Sequence, residues 1–412
     1  MKELFYKLTR SAITPFCTPK YFGSLPHLTD THIVYVLPHR SVFDLASLDI
    51  LARKLSLARP VTDSSKKNQE IAPSILYLFR GSLITKVRPN FASDLEDCFK
   101  LTKHSQQKVA FIPCTVFWGR SLAFKKAKTS IWPTHWSHPG LRKKLNNLFL
   151  TWGDTWIHFG EPIYLDNLIE REQIASISQR RLARLLRSAI QNQKATTLGP
   201  NFENRNELLN SIATSNAVKE SLTNHPDQSE ILPRKIADSI ASNMSYPTIR
   251  ALTFLLNWFW NRIYEGIELA GIDKVNAVSR THSLIYVPCH RSHVDYLLLS
   301  FLLFHKGLMI PHIAAGDNLN IPILGRILRQ GGAFFMRRSF SGDELYSQVF
   351  KEYLYQTCNR GHSIEFFPEG GRSRTGRLLS PKLGFLKMCV ESHERGLSKP
   401  VAFIPVYIGY EK

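Results

Sequence analysis

Cysteine pairs and long apolar runs are both missing from this chain, and each absence excludes a class of protein. Its six cysteines are scattered through 412 residues, and no two of them form a Cys-x-x-Cys pair. We therefore predict reduced thiols, with neither a metal site nor a disulfide framework. No run of 18 or more apolar residues occurs, so we predict no membrane-spanning helix. The N-terminus also lacks the long apolar core of a secretory signal.

Acidic residues are scarce relative to basic ones. The chain has 53 Lys and Arg against 33 Asp and Glu, a formal net charge of +20. This balance favours an anionic partner: a phosphorylated substrate, an acidic carrier protein, anionic lipid or nucleic acid. The basic residues are spread along the chain, and neither zinc-finger spacing nor an RNA-binding aromatic signature occurs. We therefore predict no nucleic-acid partner.

The segment 286–295, YVPCHRSHVD, places a histidine and an aspartate five positions apart after an apolar run. A strand followed by a sharp turn would put the His290 imidazole beside the Asp295 carboxylate. The carboxylate could then accept a hydrogen bond from one ring nitrogen and leave the other as a base. The spacing alone is weak evidence, since 15 histidines give about half a match by chance.

Three further blocks follow this pair in a fixed order: GAFFMRRSF at 332–340, FPEGGRSRTG at 367–376 and FIPVYIGY at 403–410. Together with His290 and Asp295, they resemble the motifs of the glycerolipid acyltransferase superfamily. The wording HRSHVDYLL, FFMRRSF and EGGRSRTGRLLSPK resembles the bacterial glycerol-3-phosphate 1-O-acyltransferase branch. The match is clear over residues 245–412 and looser back to the N-terminus.

The resemblance implies a fold and a reaction. The expected fold is α/β, a mostly parallel sheet flanked by helices, and the residues at 283–288 and 295–304 read as a buried strand and an apolar helix. The implied reaction moves a fatty acyl group from acyl-CoA or acyl carrier protein to the sn-1 hydroxyl of glycerol 3-phosphate. Its product would be lysophosphatidic acid, in the first step of phospholipid synthesis.

Direct transfer requires a base, because an alcohol is a poor nucleophile at neutral pH. We assign this role to His290, with Asp295 fixing its tautomer and stabilising the imidazolium. A thiolate, with a pKa of about 8.5, leaves without a dedicated acid, and no side-chain nucleophile is needed. Apart from the acyl thioester co-substrate, we predict no cofactor and no metal.

Arg338 is the predicted phosphate ligand. In the family that the chain resembles, the second arginine of FFMRRSF is associated with glycerol phosphate, and that position is Arg338. An arginine fork matches phosphate oxygens in a bidentate manner. Because adjacent residues of a strand face opposite sides, the other arginine would point into solvent or an ion pair.

The glycine-rich loop supplies the remaining predicted substrate contacts, with an ordinary surface turn as the alternative. The amides of Gly370 and Gly371 can hydrogen-bond a phosphate or a developing oxyanion. Glu369 would bind glycerol hydroxyls or position an arginine, a substrate-binding role that the resemblance supports. In the last block, the resemblance links Pro405 to the acyl thioester, although a core strand is the alternative. The loop also adds charge and a hydroxyl at Arg372, Arg374 and Ser373.

An internal duplication is visible upstream. Residues 34–44 align with 285–295, which places His39 and Asp44 on the later pair, and VAFIP occurs at both 109–113 and 401–405. Convergence on similar strand and turn wording is the alternative. The first copy lacks the EGGRSR block, so we predict a degenerate, structural domain.

The predicted organisation is a degenerate domain at 1–167, a helical and linker region at 168–244 and a catalytic domain at 245–412. The first copy continues into WIHFGEPIYL at 156–165. We expect a counterpart of this segment beyond Lys412, so the catalytic domain would be incomplete at its C-terminus.

We expect a peripheral protein on the cytoplasmic face of the inner membrane, with an anionic membrane surface as a partner. The basic amphipathic pattern at 170–191 suits an anionic membrane, although such a helix more often packs on its own domain. The aromatic helical run at 249–270 likewise suits either core packing or a membrane interface.

Two alternatives stay open. Within the same chemistry, the acceptor could be lysophosphatidic acid or dihydroxyacetone phosphate. From another class, the chain could be an inactive remnant or one half of a split enzyme, acting as a binding module with a separately encoded C-terminal half.

Overall fold

The computed structural model describes most of the chain from residue 10 onward. The described residues are 10–15, 17–23, 25–26, 28–61, 74–79, 108–119, 144, 154–165, 175–199, 205–223, 231–340 and 342–410. Two compact units divide the chain: Met1–Ser121 with Lys128–Ala195, and Leu122–Ala127 with Thr196–Lys412. The predicted helical region at 168–244 therefore contributes residues to both units.

The first unit is built on a sheet of order β1-β5-β4-β2-β3, with β6 also paired to β4. Pairs β1–β5, β2–β4 and β2–β3 are parallel, whereas β4 runs antiparallel to β5 and β6. Its elements are β1 (Lys20–Gly23), β2 (Thr31–His39), α1 (Val42–Lys54), β3 (Ile75–Phe79), β4 (Lys108–Trp118), β5 (Thr155–Phe159), β6 (Ile163–Tyr164) and most of α2 (Ala175–Leu198).

Helix α2 shows what the basic amphipathic pattern does. Its residues Leu182, Leu186 and Ile190 are buried against Val34 and other residues of the first unit's sheet. The apolar stripe of the helix therefore belongs to the core of its own unit, as the second of the two sequence interpretations expects.

The second unit carries a fully parallel sheet of order β11-β7-β10-β8-β9. The prediction of an α/β fold with a mostly parallel sheet and flanking helices is confirmed. The elements are α3 (Arg205–Ala213), α4 (Asn216–Thr223), α5 (Leu232–Ile240), α6 (Tyr246–Ile263), α7 (Ile272–Ser279), β7 (Ser283–Pro288), α8 (Asp295–His305), β8 (His312–Gly316), a 3₁₀ turn (Asp317–Leu319), α9 (Leu324–Gly331), β9 (Ala333–Met336), α10 (Glu344–Asn359), β10 (Ile364–Glu365), α11 (Leu383–Glu394) and β11 (Val401–Val406).

Strand β7 lies between β11 and β10 and leads into the site, and it is buried on both faces. Leu284 and Tyr286 pack with Leu299 of α8, whereas Ile285 packs in the cluster that contains Val349 of α10. Alternate residues of a strand face opposite sides, so an uninterrupted apolar run is what a parallel sheet between two helical layers requires. This burial fixes where β7 ends and hence where the following turn begins.

Strand register supports the internal duplication. In the first unit Val34 pairs with Phe111, and in the second unit the aligned residue Ile285 pairs with Phe403. The units differ where β10 lies between β7 and β8, since β2 pairs directly with β3 in the first unit. Strand β10 leads into the EGGRSR block, which the first copy lacks.

Among the helices of the described residues, none combines the length and the apolar content that crossing a membrane requires.

Candidate active site

The turn between β7 and α8 brings His290 and Asp295 together. Asp295 is the first residue of α8 and is fully buried. Its Oδ2 accepts hydrogen bonds from the backbone amides of Arg291 (2.6 Å) and Ser292 (2.7 Å), and it lies 3.3 Å from Nδ1 of His290. One carboxylate oxygen therefore both shapes the turn and orients the imidazole.

The other oxygen of Asp295 is held by a residue that the sequence interpretation missed. Tyr410, just beyond β11, donates its hydroxyl to Oδ1 of Asp295 at 2.5 Å. Burial by itself raises the pKa of Asp295, but hydrogen bonds from His290, the Ser292 amide, Tyr410 and the Arg291 amide together hold that pKa below its usual value. Asp295 is therefore ionised at neutral pH.

An ionised Asp295 determines the tautomer of His290. A carboxylate only accepts, so Nδ1 of His290 carries the proton and Nε2 is left as the basic nitrogen. The ring packs on Phe367, with 4.3 Å between ring centroids, and the ring of His293 lies 6.4 Å away. The neighbouring histidine has a pKa lowered by partial burial and by the charge of Arg372. His290 therefore has a fixed orientation beside a second, neutral imidazole.

His290 lines a cavity of about 960 Å³ in the second unit. The lining contains cations and backbone amides together with aliphatic and aromatic side chains. The polar lining includes His290, His293, Arg337, Arg338, Lys351, Gly370, Gly371, Arg372 and Lys382. The apolar lining includes Ile249, Leu252, Leu256, Leu297, Phe301, Phe304, Ile310, Met336, Phe340, Phe366, Phe385 and Met388.

The EGGRSR loop is tied to the histidine turn by backbone hydrogen bonds. The buried Glu369 carboxylate accepts from the amide of His290 and from the amide of Leu379, both at 2.8 Å. In return, the amide of Ser373 donates to the carbonyl of His290 at 2.8 Å. Glu369 and Ser373 thus fix the backbone of the base from both sides, and neither lines the cavity.

Gly370 is required by this loop on two counts. Its φ is +60°, in the left-handed region that side chains disfavour, and a Cβ there would lie 2.8 Å from the Lys382 side chain. The close approach brings the lysine ammonium and the Gly371 backbone into the same lining.

The other site residues predicted from the sequence differ in whether they line the cavity. Arg337 forms an ion pair with Asp343 at 2.6 Å, whereas Arg338 makes no ion pair within the described part of the chain; both line the cavity. Arg374 is exposed outside the lining, and Pro405 lies on the edge strand β11, paired with a residue of β7. The structure thus gathers the base, Arg338, Arg372 and the two glycines around the cavity.

The aligned pair in the first unit has different surroundings. Asp44 accepts hydrogen bonds at Oδ1 from Trp118 (2.6 Å) and from the buried ammonium of Lys144 (2.7 Å). Burial, together with the charges of Lys194 and Lys144, lowers the pKa of His39 against the opposing effect of Asp44. The carboxylate is therefore neutralised by a lysine, which suits a structural role.

Replacing Tyr410 with phenylalanine tests the missed contact. The Oδ1 atom of Asp295 would lose a donor, which contributes about 1–3 kcal/mol when the acceptor is charged. The pKa of Asp295 would rise towards its usual value, so the acid limb that reports protonation of Asp295 in the kcat/KM profile should move to higher pH. Tyr264→Phe, in the ring packed beside Tyr410, is the matched control and should leave the limb in place. If the acid limb of the Tyr410→Phe profile lay at the same pH as that of Tyr264→Phe, a positioning role for the Tyr410 hydroxyl would be refuted.

Comparisons with known proteins agree with this geometry. Residues 267–409 match the family described as Acyltransferase, and residues 1–199 match the family described as Glycerol-3-phosphate acyltransferase PlsB N-terminal domain. The glycerol-3-phosphate acyltransferase of Pseudomonas paraeruginosa is 39% identical over 402 residues, which is 92% of this chain and 47% of the relative. Proteins of the same name from Pseudomonas fluorescens and Ectopseudomonas mendocina are 39% and 38% identical, with the same shares covered. The chain spans about half the length of the curated relatives it matches.

Proposed function

Because this chain belongs to the glycerol-3-phosphate acyltransferase family, we propose that it transfers a fatty acyl group from an acyl thioester to the sn-1 hydroxyl of glycerol 3-phosphate. The donor would be acyl-CoA or acyl carrier protein, and the product lysophosphatidic acid. The observation that carries the proposal is a carboxylate-oriented imidazole on a cavity whose lining contains both cations and apolar side chains.

His290 would act as the general base. Its Nε2 takes the proton of the sn-1 hydroxyl as the oxygen attacks the thioester carbonyl carbon. The tetrahedral intermediate then expels the thiolate, and the imidazolium is stabilised by Asp295 until its proton leaves with the thiol. The amide of Gly371, which lines the cavity, would stabilise the oxyanion or the phosphate.

The cations of the lining would bind the acceptor's phosphate. Arg338 and Arg372 present planar guanidinium groups and Lys382 an ammonium, all on the same cavity as His290. Charge-assisted hydrogen bonds of this kind contribute more than neutral ones, and a guanidinium can hold two phosphate oxygens at once.

Arg338→Ala should therefore raise the KM for glycerol 3-phosphate by roughly 10- to 100-fold, the equivalent of one or two charged hydrogen bonds. The KM for the thioester should change little. Arg337→Ala is the matched comparison, because that guanidinium is already paired with Asp343 and its removal should matter less. Equal effects of the two substitutions on both substrates would argue against phosphate binding by Arg338.

The apolar lining would hold the acyl chain. Phe301, Met336 and Phe340 belong to it, and a cavity of about 960 Å³ falls at the large end of the range for ligand sites. Such a chain gains about 0.8 kcal/mol for each buried methylene. We place the protein at the cytoplasmic face of the inner membrane, as a peripheral protein, because its net charge of +20 suits an anionic lipid surface.

Acyl transfer by the purified 412-residue chain tests the proposal. Labelled glycerol 3-phosphate and palmitoyl-CoA should give labelled lysophosphatidic acid. Lysophosphatidic acid and dihydroxyacetone phosphate, offered as competing acceptors, should be used more slowly. A folded chain that binds glycerol 3-phosphate and transfers nothing would favour the non-catalytic alternative.

A further inference from the structure

Helix α6 exposes two aromatic side chains on the side that points away from the cavity, beside the exposed Asn257 and Asn261. Its residues Leu252 and Leu256 line the cavity, whereas Phe254 and Trp258 on other faces are 81% and 59% exposed. A helix that packs on one side only normally carries polar residues on the other. An aromatic pair in that position marks a contact surface.

Two further segments show the same arrangement. Ile323, before α9, is 78% exposed, and Leu378, in the loop before α11, is 71% exposed. The backbone of Ile323 has φ +68°, an unusual conformation for a β-branched residue, which holds its side chain outward. Helices α6 and α9 lie side by side, since Thr248 donates its hydroxyl to the Gln330 side chain at 2.7 Å.

These three segments also line the cavity. Segment 319–331 contributes Leu319 and Leu328 to the lining, and segment 370–387 contributes Lys382, among others. The exposed apolar side chains therefore belong to the same segments that line the cavity. We call this set the apolar rim; its members are Phe254, Trp258, Ile323, Leu324, Leu378 and Leu383.

Charge on the same segments has one sign. Residues 246–263, 319–331 and 370–387 contain arginines and lysines and no aspartate or glutamate. Exposed aromatic and aliphatic residues among cations are the composition of a surface that lies in the headgroup region of an anionic bilayer. A protein partner would need no such excess of one sign over three separate segments.

We propose that the apolar rim inserts into an anionic bilayer and that acyl groups pass between the bilayer and the cavity across it. The choice of a bilayer as occupant rests on the proposed function, because both the acyl donor and lysophosphatidic acid carry a chain that partitions into lipid. The rim supplies the apolar side chains, and the cations of the same segments meet the lipid phosphates.

Vesicle flotation with the full chain tests this inference. The unaltered protein should bind vesicles that contain phosphatidylglycerol and bind pure phosphatidylcholine more weakly. The double variant Trp258→Glu/Ile323→Glu should lose binding by roughly tenfold or more, since each side chain buries a large apolar group. Ile231→Glu is the matched control, because Ile231 is 62% exposed next to α5, which lines no part of the cavity.

Two results would overturn the inference: equal binding by the rim variant and the control, or no binding of the unaltered protein to anionic vesicles. Circular dichroism and thermal melting establish that each variant is folded. Acyl transfer with a short-chain, water-soluble thioester separates the two proposals. Transfer from this short-chain thioester should persist in the rim variant. If no variant transfers the acyl group while vesicle binding is intact, only the proposed reaction is refuted.

Discussion

Replacement of His290 by alanine should lower kcat/KM for acyl transfer by about 10²- to 10⁴-fold, the contribution of a positioned general base. The imidazole is oriented by Asp295 at 3.3 Å and lines the cavity, whereas the neighbouring His293 has no such contact with a carboxylate among the residues that the structure describes. The fold should be retained, because the loop is held to the turn by the backbone of residue 290 and not by its ring. Initial rates and a melting curve measure both effects.

The duplicated chain offers its own control for this experiment. His39→Ala removes the aligned imidazole of the first unit, beside the Asp44 carboxylate that Lys144 neutralises. That variant should keep a rate close to that of the unaltered protein. A His290→Ala protein with full activity, or a His39→Ala protein that loses as much, would refute the assignment of the base.

Asp295→Asn should produce the second large loss. The side-chain amide would replace one carboxylate oxygen with an NH2 group, so either the two backbone amides at Oδ2 or the Tyr410 hydroxyl at Oδ1 would meet a donor instead of an acceptor. The tautomer of His290 would no longer be fixed, and kcat should fall by about 10²- to 10⁴-fold. Unfolding should also become easier by about 1–3 kcal/mol, the cost of buried groups left without a partner.

The stability loss should depend on pH. The pKa of Asp295 is lowered in the folded protein, so the ionised carboxylate stabilises the fold at pH above its usual pKa of about 3.9. That contribution disappears as the pH falls through the folded-state pKa. The difference in unfolding free energy between Asp295→Asn and the unaltered protein should therefore shrink in acid. A difference that grew towards low pH would contradict the lowered pKa.

Asp44→Asn is the matched control for this carboxylate. It breaks the buried ion pair with Lys144, so the first unit should lose stability. The kcat of acyl transfer should change far less than in Asp295→Asn. If both substitutions reduced kcat alike at a temperature where both proteins are folded, the two copies would have to share the catalytic role.

Local features of the site were predictable from the sequence because they depend on neighbours along the chain. The strand that ends at Pro288, the helix that begins at Asp295 and the turn between them follow from an apolar run, a polar turn and a second apolar run. The five-residue spacing of His290 and Asp295 then suffices to place their side chains together.

Contacts between distant segments were not predictable in this way. Tyr410 contacts Asp295 because β11 pairs with β7 in one particular register. A pattern of neighbouring residues along the chain does not predict that register. Glu369 accepts from the amide of residue 290, which depends on how the loop after β10 folds back across the sheet edge. For the same reason, the sequence left open whether Glu369 meets the substrate or the protein.

Helix α6 shows a second reason why the sequence does not determine every packing contact. The sequence left core packing and a membrane interface both open for its aromatic residues; Phe254 and Trp258 are exposed, whereas Trp260 is buried. In a helix with apolar residues on several faces, periodicity does not say which face meets the sheet. Only the positions of α8 and α9 decide that.

The most direct test of the central claim is the tautomer of His290. In protein labelled with ¹⁵N-histidine, the His290 ring resonances can be assigned by their absence from His290→Ala. Above the pH at which the ring titrates, Nδ1 should be protonated and Nε2 unprotonated, and Asp295→Asn should lose this pattern. A protonated Nε2 in the unaltered protein, or an equal mixture of the two tautomers, would contradict a base that is oriented by Asp295.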